Sequence, residues 1–150
     1  MQRKLRLKVN RDKSAVDRPW RRKFLGFRFT NHRPPKRRIA PASIERFRGR
    51  IRELTRRPRG CSLEDVIGNL TRDLRGWLSY FGFCQTPSVL RDLESWLHRR
   101  LRALLWKRGK RGTVRFRELR QRGVRHDLAA QSAGSRHNVW RLSRSPALNF

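Results

Sequence analysis

Acidic residues are scarce: eleven Asp and Glu stand against forty Lys and Arg in 150 residues, leaving a formal charge of +29 at pH 7. That imbalance excludes a self-neutralising surface, and its repulsion must be relieved by a polyanion or by salt. Cysteine is nearly absent. Cys61 and Cys84 have no CxxC or HxxxH companion, which argues against a zinc module or a disulfide framework and fits a reducing, cytoplasmic setting. Long hydrophobic runs are missing too: none approaches the roughly 20 residues a bilayer-spanning helix needs, and MQRKLRLKVN lacks the apolar core of a signal peptide. The expectation is a soluble cytoplasmic protein with no membrane partner. Neither GxxxxGK[ST] nor GxGxxG occurs, His32, His98, His126 and His137 show no ligand spacing, and the acids are scattered. No catalytic group, metal or cofactor is therefore expected. His126 beside Asp127 comes nearest to an acid–base pair, but neighbours on a helix point apart, so two solvated side chains are the simpler reading.

What is present is arginine, 33 residues of it against seven lysines. Guanidinium groups fork onto phosphates and stack on bases better than ammonium groups do, so the bias points to nucleic acid. With 36% hydrophobic residues, five Trp and eight Phe, the chain is too apolar for a disordered basic tail and should fold. Its length suits one domain with a short appendage and excludes a large multidomain enzyme.

Hydrophobic periodicity changes along the chain. Arg3 to Asn10 and Lys23 to Thr30 alternate basic with apolar residues, Phe27 and Phe29 falling on one face, and are expected to form a strand pair. Residues 31–40, with Pro34, Pro35 and four basic side chains, read as an irregular basic linker. Beyond it the apolar period becomes about 3.6 residues. A first helix is expected from Ser43 to Arg56 on Ile44, Phe47, Ile51 and Leu54; a second from Ser62, with Asp65 completing a capping box, to Gly82; a third from Thr86-Pro87 towards Gly109. Shorter helices are placed near Val114 to Arg122 and Arg125 to Ala133, and Val139 to Phe150 is read as extended. The fold class is mainly α: a three-helix bundle with short C-terminal helices, preceded by a small strand pair.

Charge is concentrated where the third helix ends. Arg99, Arg100, Arg102, Lys107, Arg108, Lys110 and Arg111 crowd there, and positive charge also suits the helix dipole. In a protein of ordinary charge this would be a solvated helix face; at +29 it is a polyanion-binding stripe, joined by Arg141 and Arg144 in the tail. Trp77, Trp96 and Trp106 fall on apolar stripes and are expected in the core. Trp20 and Trp140 lie among arginines, where they could stack on unpaired bases or close a core edge.

LKVNRDKSAV followed by KFLGFRF, then SIERFRGRIRELTRR and LRGWLSYFGFCQTPSVLRDLESWLHRRLRALLWK, and finally WRLSRSPAL, resemble the C-terminal part of bacterial group II intron-encoded reverse transcriptase/maturases. The blocks keep the family's order and nearly its spacing over most of the chain. This resemblance implies that residues 1–30 are a remnant of the polymerase palm, with Phe24, Leu25, Gly26 and Phe27 at a primer-grip-like turn. Residues 41–150 would be the thumb, or maturase-specific X domain. Its implied partners are group II intron RNA and an RNA/DNA template-primer duplex, with splicing catalysed by the RNA itself.

The sequence also departs from that family. No adjacent aspartate pair occurs, and two metal ions about 4 Å apart need paired carboxylates, so this chain alone is not expected to polymerise. No paired Cys or His marks an HNH endonuclease cassette. A truncated reading frame or one module of a split protein is the expectation. Three functions follow: an RNA-binding maturase domain; the C-terminal module of a split reverse transcriptase acting with a separately encoded fingers-palm fragment; or a nonspecific basic nucleic-acid-binding protein.

Overall fold

The computed structural model describes residues 16–56 and 62–148. Strands β1 (Phe27–Phe29) and β2 (Arg37–Ile39) precede helices α1 (Pro41–Leu54), α2 (Leu63–Phe81), α3 (Pro87–Arg108), α4 (Gly112–Gln121), α5 (His126–Gly134) and α6 (Val139–Leu142), and a 3-10 turn follows at Pro146–Leu148. The fold is mainly helical with a small antiparallel sheet, as the periodicity predicts.

The sheet pairs differently from the sequence expectation. Arg3 to Asn10, the expected partner of Lys23 to Thr30, lies outside the described residues. The observed partner of β1 is β2, in register Phe27 with Ile39, Arg28 with Arg38 and Phe29 with Arg37. The segment 31–40 is thus not irregular throughout. Pro34 and Pro35 fall in the connection, where no ladder hydrogen bond is needed, and Arg37 to Ile39 keep the N–H groups that a strand requires.

Helix α1 starts two residues before the expected Ser43 because Pro41, its φ already fixed by the ring, occupies the first turn. Ser43 is instead buried, and its hydroxyl donates to the Gly26 carbonyl at 3.2 Å. Helix α2 opens with the reciprocal cap expected: Ser62 Oγ accepts from the Asp65 N–H at 3.0 Å and the Asp65 carboxylate from the Ser62 N–H at 3.1 Å. Helix α3 begins at Pro87 and runs 22 residues, about 33 Å at 1.5 Å per residue.

Two apolar clusters sit along α3. The first joins the sheet to the long helices through Phe27, Ile39, Phe47, Ile51, Phe81 and Leu93. The second gathers Trp106, Leu119, Ala129, Leu142, Ala147 and Leu148 from the end of α3 and the short elements after it. Trp106 is buried as expected; Trp77 and Trp96 are half-buried at the margin of the first cluster.

The tail is helical where an extended segment is expected. Asn138 Oδ1 accepts from the Arg141 N–H at 2.8 Å and caps α6, and Leu142, Ala147 and Leu148 are buried. One-turn helices are too short to show a 3.6-residue period, so the pattern in Val139 to Leu148 could not reveal them. Among the described residues no helix is long and apolar enough to cross a membrane.

Candidate nucleic-acid interface

The end of α1, the start of α2, the second half of α3 and the start of α6 enclose a cleft of about 820 Å³. Among the described residues its cations are Arg56, Arg100, Lys107, Arg108 and Lys110, and no carboxylate lines it. Lys107 and Arg108 occupy the last turn of α3, where positive charge is favoured by the helix dipole. Elsewhere basic side chains are neutralised internally: Arg50 reaches Asp73 at 2.7 Å and Arg48 reaches Glu45 at 3.0 Å. Among the described residues no ion pair joins Arg56, Lys107, Arg108 or Lys110 to an acid. Glu64, in the first turn of α2, has its carboxyl held below its ordinary range by backbone and Ser62 hydrogen bonds and, more weakly, by Arg108.

The sequence-predicted cations divide by direction. Arg99 leaves the cleft for the tail: it donates to the Trp140 carbonyl at 2.8 Å and to Ser143 Oγ at 3.3 Å, and its guanidinium stacks 3.9 Å from the Trp140 ring centroid. Burial, with Arg144 and Arg102 nearby, pushes the Arg99 pKa down. Arg100 turns to the end of α1, donating to Thr55 Oγ1 and to the Arg52 carbonyl, and burial followed by Arg52 lowers its pKa as well. Arg102 is half-buried on α3, whereas Lys107, Arg108 and Lys110 are exposed along the cleft. Exposed Arg111 precedes α4, and Arg141 and Arg144 are exposed in the tail; none of these three lines the cleft.

No sequence pattern singles out Arg56, Asn138 or the cleft-lining position of Trp140. Each comes from an element that meets α3 only through tertiary packing, and no local pattern announces that meeting. Trp140 is 38% exposed with Arg99 over its ring, so its partner is an arginine 41 positions away and not the adjacent Arg141.

A second feature lies at the other end of the bundle. Phe24 and Phe27 exchange backbone hydrogen bonds of 2.9 Å around Leu25 and Gly26, whose φ values are +46° and +80°. Two positive φ values in a two-residue connection mark a type I′ hairpin turn. Gly26 suits the position twice: its φ is left-handed, and a Cβ there would lie 3.0 Å from the Phe81 ring. Tyr80 anchors the turn by donating its hydroxyl to the Leu25 carbonyl at 2.8 Å, while Phe24 and Leu25 project to solvent at 72% and 67% exposure.

The model of the family described as "Group II intron, maturase-specific domain" matches residues 44–123, more than half of the chain, from α1 through α4. The matched segment contains every cation of the cleft among the described residues. No curated protein matches the chain. By the extent of that match the chain belongs to the group II intron maturase-specific domain family.

Proposed function

We propose that the chain binds group II intron RNA through the cleft between α1, α2, α3 and α6 and assists the intron's splicing, the RNA supplying the catalysis. Its family membership gives a maturase-related role, and the maturase-specific domain is not itself the catalytic domain of a polymerase. The observation that carries the reading is the cleft's lining among the described residues: five cations, no carboxylate, and the Trp140 ring at its edge. Side chains so placed neutralise phosphates that a compact RNA fold brings together, while hydroxyls, Asn138 and an aromatic face can discriminate shape and unpaired bases.

The test is splicing of a group II intron transcript at low Mg²⁺ with and without the chain, alongside salt-dependent binding. Affinity should fall by roughly 10³ to 10⁵ between about 50 and 200 mM salt if six to ten phosphates are contacted. The triple variant Lys107→Gln, Arg108→Gln, Lys110→Gln should lose splicing assistance and flatten that response. A flat response in the unaltered chain overturns the electrostatic mechanism. Equal affinity for intron RNA, unrelated RNA and duplex DNA at matched salt would favour a nonspecific basic protein.

A second reading rests on the exposed apolar residues Phe24, Leu25, Tyr80 and Phe83 around the hairpin turn. In it the turn acts as a primer grip against a separately encoded fingers-palm fragment and a template-primer duplex. Primer extension after mixing the two pieces tests this, and an inactive mixture removes it.

A further inference from the structure

We infer that the chain carries a second RNA-phosphate site at the opposite end of α3, in the hollow between β2 and the first turn of that helix. This inference rests on the RNA-binding reading above and extends it to a surface that, among the described residues, shares none with the cleft. The hollow, about 490 Å³, is lined by Lys36, Arg38 and Arg91 together with His32, Thr86 and Ser88, and among the described residues by no carboxylate.

The register makes the charge arrangement unusual. Arg28 and Arg38 stand directly opposite one another across the antiparallel pair. Like charges in that relation are destabilising, so an unliganded hairpin gains nothing from them. Lys36 continues the same row: its N–H donates to Thr30 Oγ1 at 2.9 Å, and the Thr30 N–H to the Lys36 carbonyl at 2.9 Å. Among the described residues no ion pair or hydrogen bond engages the side chains of Arg28, Lys36, Arg38 or Arg91. Arg37, on the other face, is accounted for by its stacking 5.1 Å from the Phe83 ring.

The hollow is also held open in one geometry. Gln85, just before α3, takes both backbone groups of Arg37: its Oε1 accepts from the Arg37 N–H at 2.8 Å, and its own N–H donates to the Arg37 carbonyl at 2.9 Å. These two bonds tie the free edge of β2 to the start of α3, so Arg38 and Arg91 face a common space without an induced movement. The positive end of the α3 dipole faces the same space.

An extended polyanion fits this site better than an isolated phosphate because the hollow is open and its charges form a row. Arg91 and Lys107 are sixteen residues apart on one helix, about 24 Å along its axis. They also lie about 160° apart around that axis, so a folded RNA that contacts both the hollow and the cleft must wrap around the helix.

The experiment uses the full chain and a fluorescently labelled group II intron transcript, with affinity followed over a salt series. The triple variant Lys36→Gln, Arg38→Gln, Arg91→Gln should lower the slope of log K against log salt by about 2, making the affinity loss between about 50 and 200 mM roughly 20-fold smaller than for the unaltered chain. Its charge-preserving counterpart, Lys36→Arg, Arg38→Lys, Arg91→Lys, should restore the slope. Millimolar inorganic phosphate at constant ionic strength should leave both curves unchanged. An unaltered slope in the Gln variant, with the cleft variant flattened in parallel, overturns the second site and leaves the cleft standing. Failure of the charge-preserving variant to recover shows a folding defect in place of a lost contact and also overturns it, as does competition by free phosphate. An unaltered chain that does not bind the transcript overturns both readings.

Discussion

Around the first half of α3, Phe27, Phe47, Ile51, Phe81 and Leu93 close a cluster of aromatic and branched side chains, with Phe47 and Phe81 rings 4.3 and 4.8 Å from Trp77. Around its last turns the material is different. Trp106 is surrounded by Leu119, Leu142 and Leu148, but also by Ala129 and Ala147, and Ser143 is wholly buried. Large side chains let the first region hold long helices together at a distance, whereas small ones let the short elements of the second approach closely. The second also relies on polar anchors: Ser143 Oγ donates to the Trp140 carbonyl at 2.7 Å, and Arg115 donates to the carbonyl of Gly109. One region is therefore sensitive to lost volume and the other to added volume and to broken hydrogen bonds.

The sharpest way to break that contrast is Phe47→Ala, which should cost about 3–5 kcal/mol in chemical denaturation by opening a cavity beside Trp77. A loss under about 1 kcal/mol would show that the first cluster does not hold the bundle. Ala129→Leu tests the other side: at a fully buried position, extra methyl groups should destabilise by about 1–3 kcal/mol, read as a lower midpoint of thermal unfolding. Arg99→Met should cost about 1.5 kcal/mol through its hydrogen bonds to the tail, and hydrogen exchange should accelerate in Val139–Leu142 while α1 and α2 keep their protection. Equal acceleration everywhere would mean that the two clusters unfold as one unit. The smallest effect is expected from Ser62→Ala, about 1 kcal/mol from the lost cap, with faster exchange confined to the first turn of α2.

The same contrast explains what could be read from the chain beforehand. Helices α1 to α3 were legible because Phe, Trp, Leu and Ile recur every three or four residues, and the cap at Ser62 is written in two side chains three positions apart. Helix α6 was not, since one turn built around Leu142 and a buried serine leaves no apolar period. Strand β2 was masked by Pro34 and Pro35, which stop just short of it. In the cleft, Lys107, Arg108 and Lys110 followed from their crowding at a helix end. The inward turns of Arg99 and Arg100 did not follow, because adjacent helical positions point about 100° apart and only the packed neighbours decide which direction meets Trp140 and which meets Thr55.

After its first residue α3 contains neither glycine nor proline, the residues at which helices kink. It is a rigid gauge. Its two basic ends are held about 24 Å apart along the axis, so in the RNA-binding reading proposed above the protein, and not the ligand, sets the spacing between them. An RNA unable to reach that far around the helix would be held at one end only.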